Sequence, residues 1–241
     1  PENRYADTIY HIECKSETRF DWDIIGYTVG RMLPSAGVPV LTGDFHRPTL
    51  TMLKQCFTAM ATTSACEMCH IVGVTPEARS LEDARGNKPL RGEFTITQED
   101  YEESRRQICS AGEGRINFVL MGCPHYSLED IQQVAAYIDG KKVADGVEFH
   151  VWTDMSTLAM AKASGFVKTI EDAGGNVLSS SCAMVMDPAA FEHVTAMVTD
   201  SGKQGHYMHS CFGAGRHVPI YYGDICKCID AAEAGYWKGE A

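Results

Sequence analysis

The sequence predicts an α/β fold in two subdomains, with parallel or mixed sheets carrying helices on both faces. Three observations lead there. Short apolar runs rich in Val, Ile and Phe alternate with amphipathic stretches of helix length along most of the chain. From residue 117 to 178 the order is strand, helix, strand, helix, strand, the pattern of a parallel sheet wrapped by helices. Hydrophobic residues make up 44% of the 241 and charged residues 22%, enough to bury real cores.

Thr8 to Cys14 alternates and reads as a strand. Asp21 to Leu33 reads as a helix, capped by Asp21 or Asp23 and stopped by Pro34. Val38 to Leu41 is a strand ending at Gly43, and Pro48 opens a helix to about Ala61. Met68 to Val74 is apolar and β-branched, a buried strand. Residues 77–91 are polar and carry Gly86 and Pro89, so they read as loop. Glu93 to Thr97 is a strand, followed by a charged helix from Gln98 to Cys109. Gly and charge cluster at Ala111-Gly112-Glu113-Gly114, which sets a subdomain boundary between 112 and 113. Beyond it, Asn117 to Met121 is a buried strand and Gly122 to Tyr126 a turn. Ser127 caps a helix to Ile138, with Asp130 at its third position. Val147 to Thr153 is a strand; Ser156 caps a helix that Gly165 breaks; a short helix then leads to Gly174-Gly175 and a strand at Val177-Leu178. His193 to Thr199 and His217 to Tyr222 are further strands. A helix from Asp224 to about Ala234 closes the chain.

Composition excludes several classes of function. The net charge of −11 repels phosphate backbones, which argues against nucleic acid as a partner. No apolar run approaches the length needed to cross a bilayer. Ten cysteines in a chain of this size with no secretory signal point to the reducing cytoplasm rather than to a disulfide framework. The chain opens Pro1-Glu2-Asn3-Arg4 without an initiator Met, and reads as a portion of a longer protein.

In open α/β sheets ligands bind beyond the carboxyl ends of the strands, so the turns there hold the candidate chemistry. Gly122-Cys123-Pro124-His125-Tyr126-Ser127 brings a thiol, an imidazole and a hydroxyl to a helix start; the plain alternative is a tight turn with a packed Cys. Ser179-Ser180-Ser181-Cys182 is a second hydroxyl-rich strand end. Ser201-Gly202-Lys203 offers a Lys and free amides suited to a carboxylate or phosphate, and Cys211 follows. Cys123, Cys182 and Cys211 converge if their strands are neighbours, and thiolates favour iron–sulfur or zinc. The turns His70 to Glu77 and Gly43 to Pro48 each suit a carboxylate, and each suits equally a loop with a helix cap. Cys66-Glu67-Met68-Cys69-His70 matches a haem-attachment spacing, but it lies beside a buried strand with no axial Met in view. Cys14, Cys56, Cys66 and Cys69 are read as buried and unligated.

These motifs carry a resemblance. His70 to Ala78, Gly122-Cys123-Pro124-His125 with Ser127 and Glu129, and Ser201-Gly202-Lys203 with His206-Tyr207 resemble the catalytic subunit of aconitase X along essentially the whole chain. More distantly, the turn at Gly122, the turn at Ala173-Gly174-Gly175 and Cys182 resemble the iron–sulfur domain of ordinary aconitases. The resemblance implies an aconitase-like fold and a cytoplasmic, iron–sulfur-dependent hydro-lyase that dehydrates a small hydroxy acid, cis-3-hydroxy-L-proline ahead of 5-phosphomevalonate. It implies Cys123, Cys182 and Cys211 as metal ligands, His125 and Ser181 as catalytic residues, and His70, Gly73, Thr75, Ser201 and Lys203 as substrate-binding residues. It also implies a longer N-terminal part supplying a further cluster ligand, and a small swivelling subunit or domain as partner. In this family the segment around Cys66 and Cys69 is more usually apolar. Two other readings stand beside this one: a non-catalytic ligand-binding subunit, and zinc hydrolysis, which lacks a convincing ligand pair.

Overall fold

The computed structural model describes residues 2–34, 37–213 and 215–239. It divides into two compact units, Pro1–Arg105 and Arg106–Ala241, the break falling ahead of the Gly112 boundary read from composition.

The first unit is built on β1 (Thr8–Ile12), α1 (Arg19–Met32), β2 (Pro39–Gly43), α2 (Leu50–Ser64), β3 (His70–Ile71), α3 (Leu81–Arg85), β4 (Gly92–Ile96) and the start of α4 (Gln98–Ile108). Its four strands are all parallel, in the order β3-β2-β1-β4. The helix α1 begins two residues before the expected start, because Thr18 is the cap and Asp21 its capping-box partner. α1 and α2 lie close enough that a Cβ on Gly26 would fall 2.1 Å from the Cys56 carbonyl oxygen, so only glycine fits.

Two expectations fail here. The strand expected over 68–74 is only His70–Ile71. The Val74 and Thr75 amides both turn back to the Ile71 carbonyl, and Gly73 at φ 72 donates to Ala78. Local turn bonding outcompetes the β-branched run. The stretch expected as loop over 77–91 contains α3, capped by Ser80.

The second unit contains β5 (Gly114–Arg115), β6 (Phe118–Tyr126), α5 (Leu128–Ile138), β7 (Glu148–Thr153), α6 (Met155–Ala163), α7 (Phe166–Asp172), β8 (Asn176–Ser179), β9 (Met197–Thr199), α8 (Gly202–Cys211), β10 (Ile220–Tyr222), α9 (Ile225–Ala234) and β11 (Tyr236–Trp237). Five strands run parallel in the order β10-β9-β6-β7-β8, and β5 pairs antiparallel with β11 in a ribbon that sequence reading misses. One face of the sheet packs Val119, Met121, Val151 and Val198 under α5, α7 and α9. The other packs Phe118, Leu120, Trp152, Met197 and Ile220 under α8 and the 183–194 segment. Each strand alternates its side chains between two cores, which is why these strands read as nearly continuous apolar runs.

The turn expected at 122–126 is instead the end of β6. Met121 pairs with Val151 and Tyr126 with Thr153, with a register break between them. The strand expected over 193–199 is only Met197–Thr199, because residues 188–191 form a 3-10 turn capped by Asp187. α6 is capped by Asp154, whose carboxylate accepts the Ser156 and Thr157 amides, rather than by Ser156.

Candidate functional site

In the second unit the chain winds outward from β6 through β7 to β8, then crosses back to β9 on the other side of β6. That reversal makes the carboxyl ends of β6 and β9 the topological switch point, where an open α/β sheet leaves a crevice. The sequence places Gly122 to Tyr126 at one lip and Thr199 to Lys203 at the other.

Gly122 has φ 89, and a Cβ there would fall 2.2 Å from the Trp152 carbonyl oxygen. This close approach lets β6 run past β7 and carry Cys123 and His125 beyond the sheet. His125 Nε2 lies 2.8 Å from the Ser181 carbonyl oxygen. A carbonyl only accepts, so Nε2 donates in this bond. This bond joins the end of β6 to the loop after β8, where Ser180 sits at φ 70 and Ser181 is exposed.

Cys182 follows directly. Its Sγ accepts the Met184 amide at 3.4 Å, and the Cys211 thiol lies 3.5 Å from Met184 Sδ. Met184 thus meets Cys182 through its amide and Cys211 through its sulfur. Burial pushes the Cys211 thiol up, and the charge of nearby Cys182 adds to that. Cys123 is buried on β6 beside His125. Trp152 is 6% exposed in the apolar cluster that also holds Ala183 and Cys211, with Met184 packed against it, and its indole Nε1 has no hydrogen-bond partner. Met184 and Trp152 were not legible as site residues, since each reads as core.

At the other lip Ser201 is wholly buried and its Oγ accepts the Gln204 amide, so its hydroxyl is spent as the cap of α8. Lys203 is half-buried in the first turn of that helix, and its charge complements an anion at the helix start. Between the lips the Tyr126 hydroxyl donates to Asp200 Oδ2, both residues being buried. That pair was not anticipated either.

His70, Gly73 and Thr75 belong to the first unit. His70 is 4% exposed and its Nε2 donates to the Arg4 carbonyl oxygen at 2.7 Å. The Thr75 hydroxyl accepts the Ile71 amide, so it is part of the turn itself. His70 lines a cavity of about 540 Å³ with Arg4, Tyr5, Glu77, Arg79 and Asp83. Arg4 grips Glu77 through Nε and Nη2, the shortest contact 2.6 Å. The cysteines divide differently from expectation. Cys14 and Cys56 are buried, but Cys66 and Cys69 are only partly so, and both line a second cavity.

None of the ten cysteines forms a disulfide. Among the described residues no three of His, Cys, Asp and Glu come together as a metal site, and no helix is long and apolar enough to cross a membrane.

Two parallel sheets packed against helices define an α/β protein. Family comparison identifies which kind: residues 6–106 match the aconitase X second domain and residues 116–234 the aconitase X third domain, and the chain belongs to the aconitase X family. It is 29% identical to a cis-3-hydroxy-L-proline dehydratase of Pseudomonas aeruginosa over 88% of its own length and 36% of that protein. It is 30% identical to a phosphomevalonate dehydratase large subunit of Methanothermobacter thermautotrophicus, over 88% of this chain and 50% of that one. The crystal structure of Thermococcus kodakaraensis aconitase X (holo-form) superposes with a TM-score of 0.80 at 26% identity, covering 96% of this chain and 56% of that chain. The chain therefore spans between about a third and just over half of these relatives.

Proposed function

We propose that this chain forms the second and third domains of a hydro-lyase that removes water from a small hydroxy acid, cis-3-hydroxy-L-proline ahead of 5-phosphomevalonate. The observation that carries the reading is the junction of His125 with Ser181 beside the Cys182–Met184–Cys211 sulfurs at the switch point. Soft donors in this number fit part of an iron–sulfur site, and the unpartnered Trp152 N–H suits a site that gains an acceptor when loaded. When bound, such a group with an open iron position supplies Lewis acidity toward a leaving hydroxyl. Cys123, Cys182 and Cys211 are the thiolates this chain offers, and a further ligand comes from the rest of the protein.

His125 is assigned the proton that leaves beside the carboxylate, a role supported by the Ser181 carbonyl that fixes its ring. Lys203 and the first amides of α8 hold a substrate anion, Ser201 serving through its backbone and its cap. The exposed Ser181 hydroxyl is assigned a contact to the reacting centre. His70, with Gly73 and Thr75 shaping its turn, is assigned to substrate through the neighbouring cavity. We further propose that a small swivelling subunit or domain completes the enzyme, and that it works in the cytoplasm, a reading supported by ten cysteines none of which forms a disulfide.

The test is anaerobic purification of the full-length protein with its partner, followed by iron and sulfide analysis and assay of both substrates. Iron, sulfide and turnover of either hydroxy acid are expected. A complete, iron-free protein that binds the hydroxy acid without turning it over overturns the enzyme reading in favour of a ligand-binding subunit.

A further inference from the structure

The second cavity of the first unit has a composition that the proposed dehydratase does not use. It holds about 270 Å³ and is lined by Phe57, Met60, Cys66, Glu67, Met68 and Cys69. Four of these six side chains carry sulfur. Local structure puts them there. Ala65 ends α2 in the left-handed region at φ 55, with its amide returned to Ala61, so the chain doubles back and Cys66 to Cys69 pass the end of the helix. Met60 and Phe57 face them from the last turns of α2. The Cys66 amide is held by Ser64 Oγ at 3.1 Å. The Cys66 thiol donates to the Met68 carbonyl at 3.0 Å and the Cys69 thiol to the His70 carbonyl at 3.4 Å, so both are protonated as they stand.

A second observation is independent of the cavity. Tyr10 on β1 is wholly buried, and its hydroxyl has no hydrogen-bond partner. Tyr10 is in register with Leu41 and, through it, with Ile71, two residues after Cys69. A buried phenol without an acceptor is costly, and a thiolate at either cysteine supplies one.

We propose that this cavity is a soft-metal site that takes one Cu(I) ion, with Cys66 and Cys69 as thiolate ligands, the Met60 and Met68 thioethers alongside, and the Tyr10 hydroxyl donating to a bound sulfur. Thiolate and thioether donors select Cu(I) over harder divalent ions. Zinc calls for four ligands of its own preferred types, and two thiols do not meet that need. Charge points the same way. Binding releases two thiol protons to solvent and leaves one net negative charge on the bis-thiolate complex, which the Tyr10 O–H solvates. No electron transfer is involved.

The site is tested on the full-length protein under anaerobic conditions, by Cu(I) titration against a chromogenic chelator. The Cys66→Ser/Cys69→Ser variant is expected to bind one Cu(I) fewer than the wild type, with the other cysteines taking up the same amount in both. Tyr10→Phe is expected to keep the stoichiometry and weaken that one ion about tenfold. Copper-edge absorption of the first equivalent is expected to show sulfur-only coordination. Equal Cu(I) stoichiometry and affinity in wild type and double variant overturn the proposal. If the double variant fails to fold, Met68→Leu paired with Tyr10→Phe replaces it, and unchanged affinity in both overturns the proposal equally.

Discussion

The two parallel sheets treat their switch points in opposite ways. In the first unit the reversal lies between β1 and β4, and the crevice there is sealed by side chains that satisfy one another. Asp21 Oδ2 accepts the Glu17 and Thr18 amides, and its Oδ1 accepts the Tyr101 hydroxyl at 2.8 Å. The Trp22 indole donates to the Ser16 carbonyl at 2.9 Å. Burial pushes the Cys14 thiol up to about 12, so it stays neutral. The cavities of that unit lie at the other edge, by the residues that precede β1, β3 and β4. In the second unit the switch point between β6 and β9 is where we propose the site, with the thiols of Cys182 and Cys211 and the charge of Lys203 as its groups. The same topology thus yields a closed structural joint in one unit and, on the proposed reading, a site in the other. Both switch points pair their buried polar groups, Tyr126 with Asp200 and Ser201 with the Gln204 amide in the second; what the second adds is a set of thiols and a lysine.

The sharpest way to break this comparison is to remove one thiol from the open crevice and one carboxylate from the closed one. In the complete enzyme, Cys182→Ser is expected to lower turnover by more than about 100-fold and to lower iron content, while the unfolding midpoint moves little. Full activity and full iron in that variant would sink the assignment of the crevice. Asp21→Ala is expected to do the reverse. It leaves the buried Tyr101 hydroxyl without an acceptor and removes the capping-box partner of Thr18, so chemical denaturation should show a loss of about 3 kcal/mol. A variant with unchanged stability and lost activity would mean that the first crevice is a site after all.

The contrast also explains what the sequence made legible. Helix caps were readable where a side chain bonds its own amides. Ser127 with Asp130 at α5 caps as local chemistry dictates. The end of β6 was not, because Gly122 and Pro124 favour a turn locally, and only pairing of Tyr126 with Thr153 of β7 overrides them. β3 failed in the opposite sense: its β-branched residues promise a strand, but the Thr75 hydroxyl and the Gly73 amide close a turn. In the site, His125, Cys182 and Lys203 stood out because reactive side chains at strand ends carry a recognisable pattern. Ser201 stood out equally and proved to be a cap. Met184 and Trp152 could not be singled out, since an apolar side chain in a core and one lining a site look alike until the fold is known. The cavity at Cys66 and Cys69 was hidden for the same reason.

Lys203 sharpens the comparison from the other lip. It is half-buried at the start of α8, on a chain of net charge −11 that otherwise repels a carboxylate or phosphate. Loss of a charge contact in a desolvated site costs on the order of 2 kcal/mol, so Lys203→Ala should lower kcat/KM by more than tenfold with the iron–sulfur absorption unchanged. Unchanged kcat/KM would make Lys203 a surface residue and remove the anion from the switch point.

The smallest expected effect concerns acid, and it separates the two units by pH alone. Asp7, at the entry to β1, is 4% exposed by its side chain and lies 3.0 Å from Lys88 Nζ. Its Oδ1 accepts the Val38 amide at 3.1 Å and the Thr8 hydroxyl at 3.0 Å. Burial by itself raises the pKa of this carboxyl, but the Lys88 contact and the two further hydrogen bonds outweigh it, and the net shift is downward. A carboxyl depressed in the folded state contributes stability that is complete above its unfolded pKa of about 3.9 and is lost as pH falls through the folded value. Between those two pKa values the unfolded chain binds the proton and the folded chain does not. Acidification below about pH 4 should therefore loosen β1 and β2, where Asp7 ties Val38 and Lys88 together. Asp7→Asn removes this carboxyl titration, so the wild type should lose its advantage over the variant as the solution is acidified. Amide hydrogen exchange in β1 and β2, compared between the two proteins at each pH, reads the difference. A wild-type advantage that persists unchanged below pH 3 or so would mean that the Asp7 charge contributes nothing to the first unit.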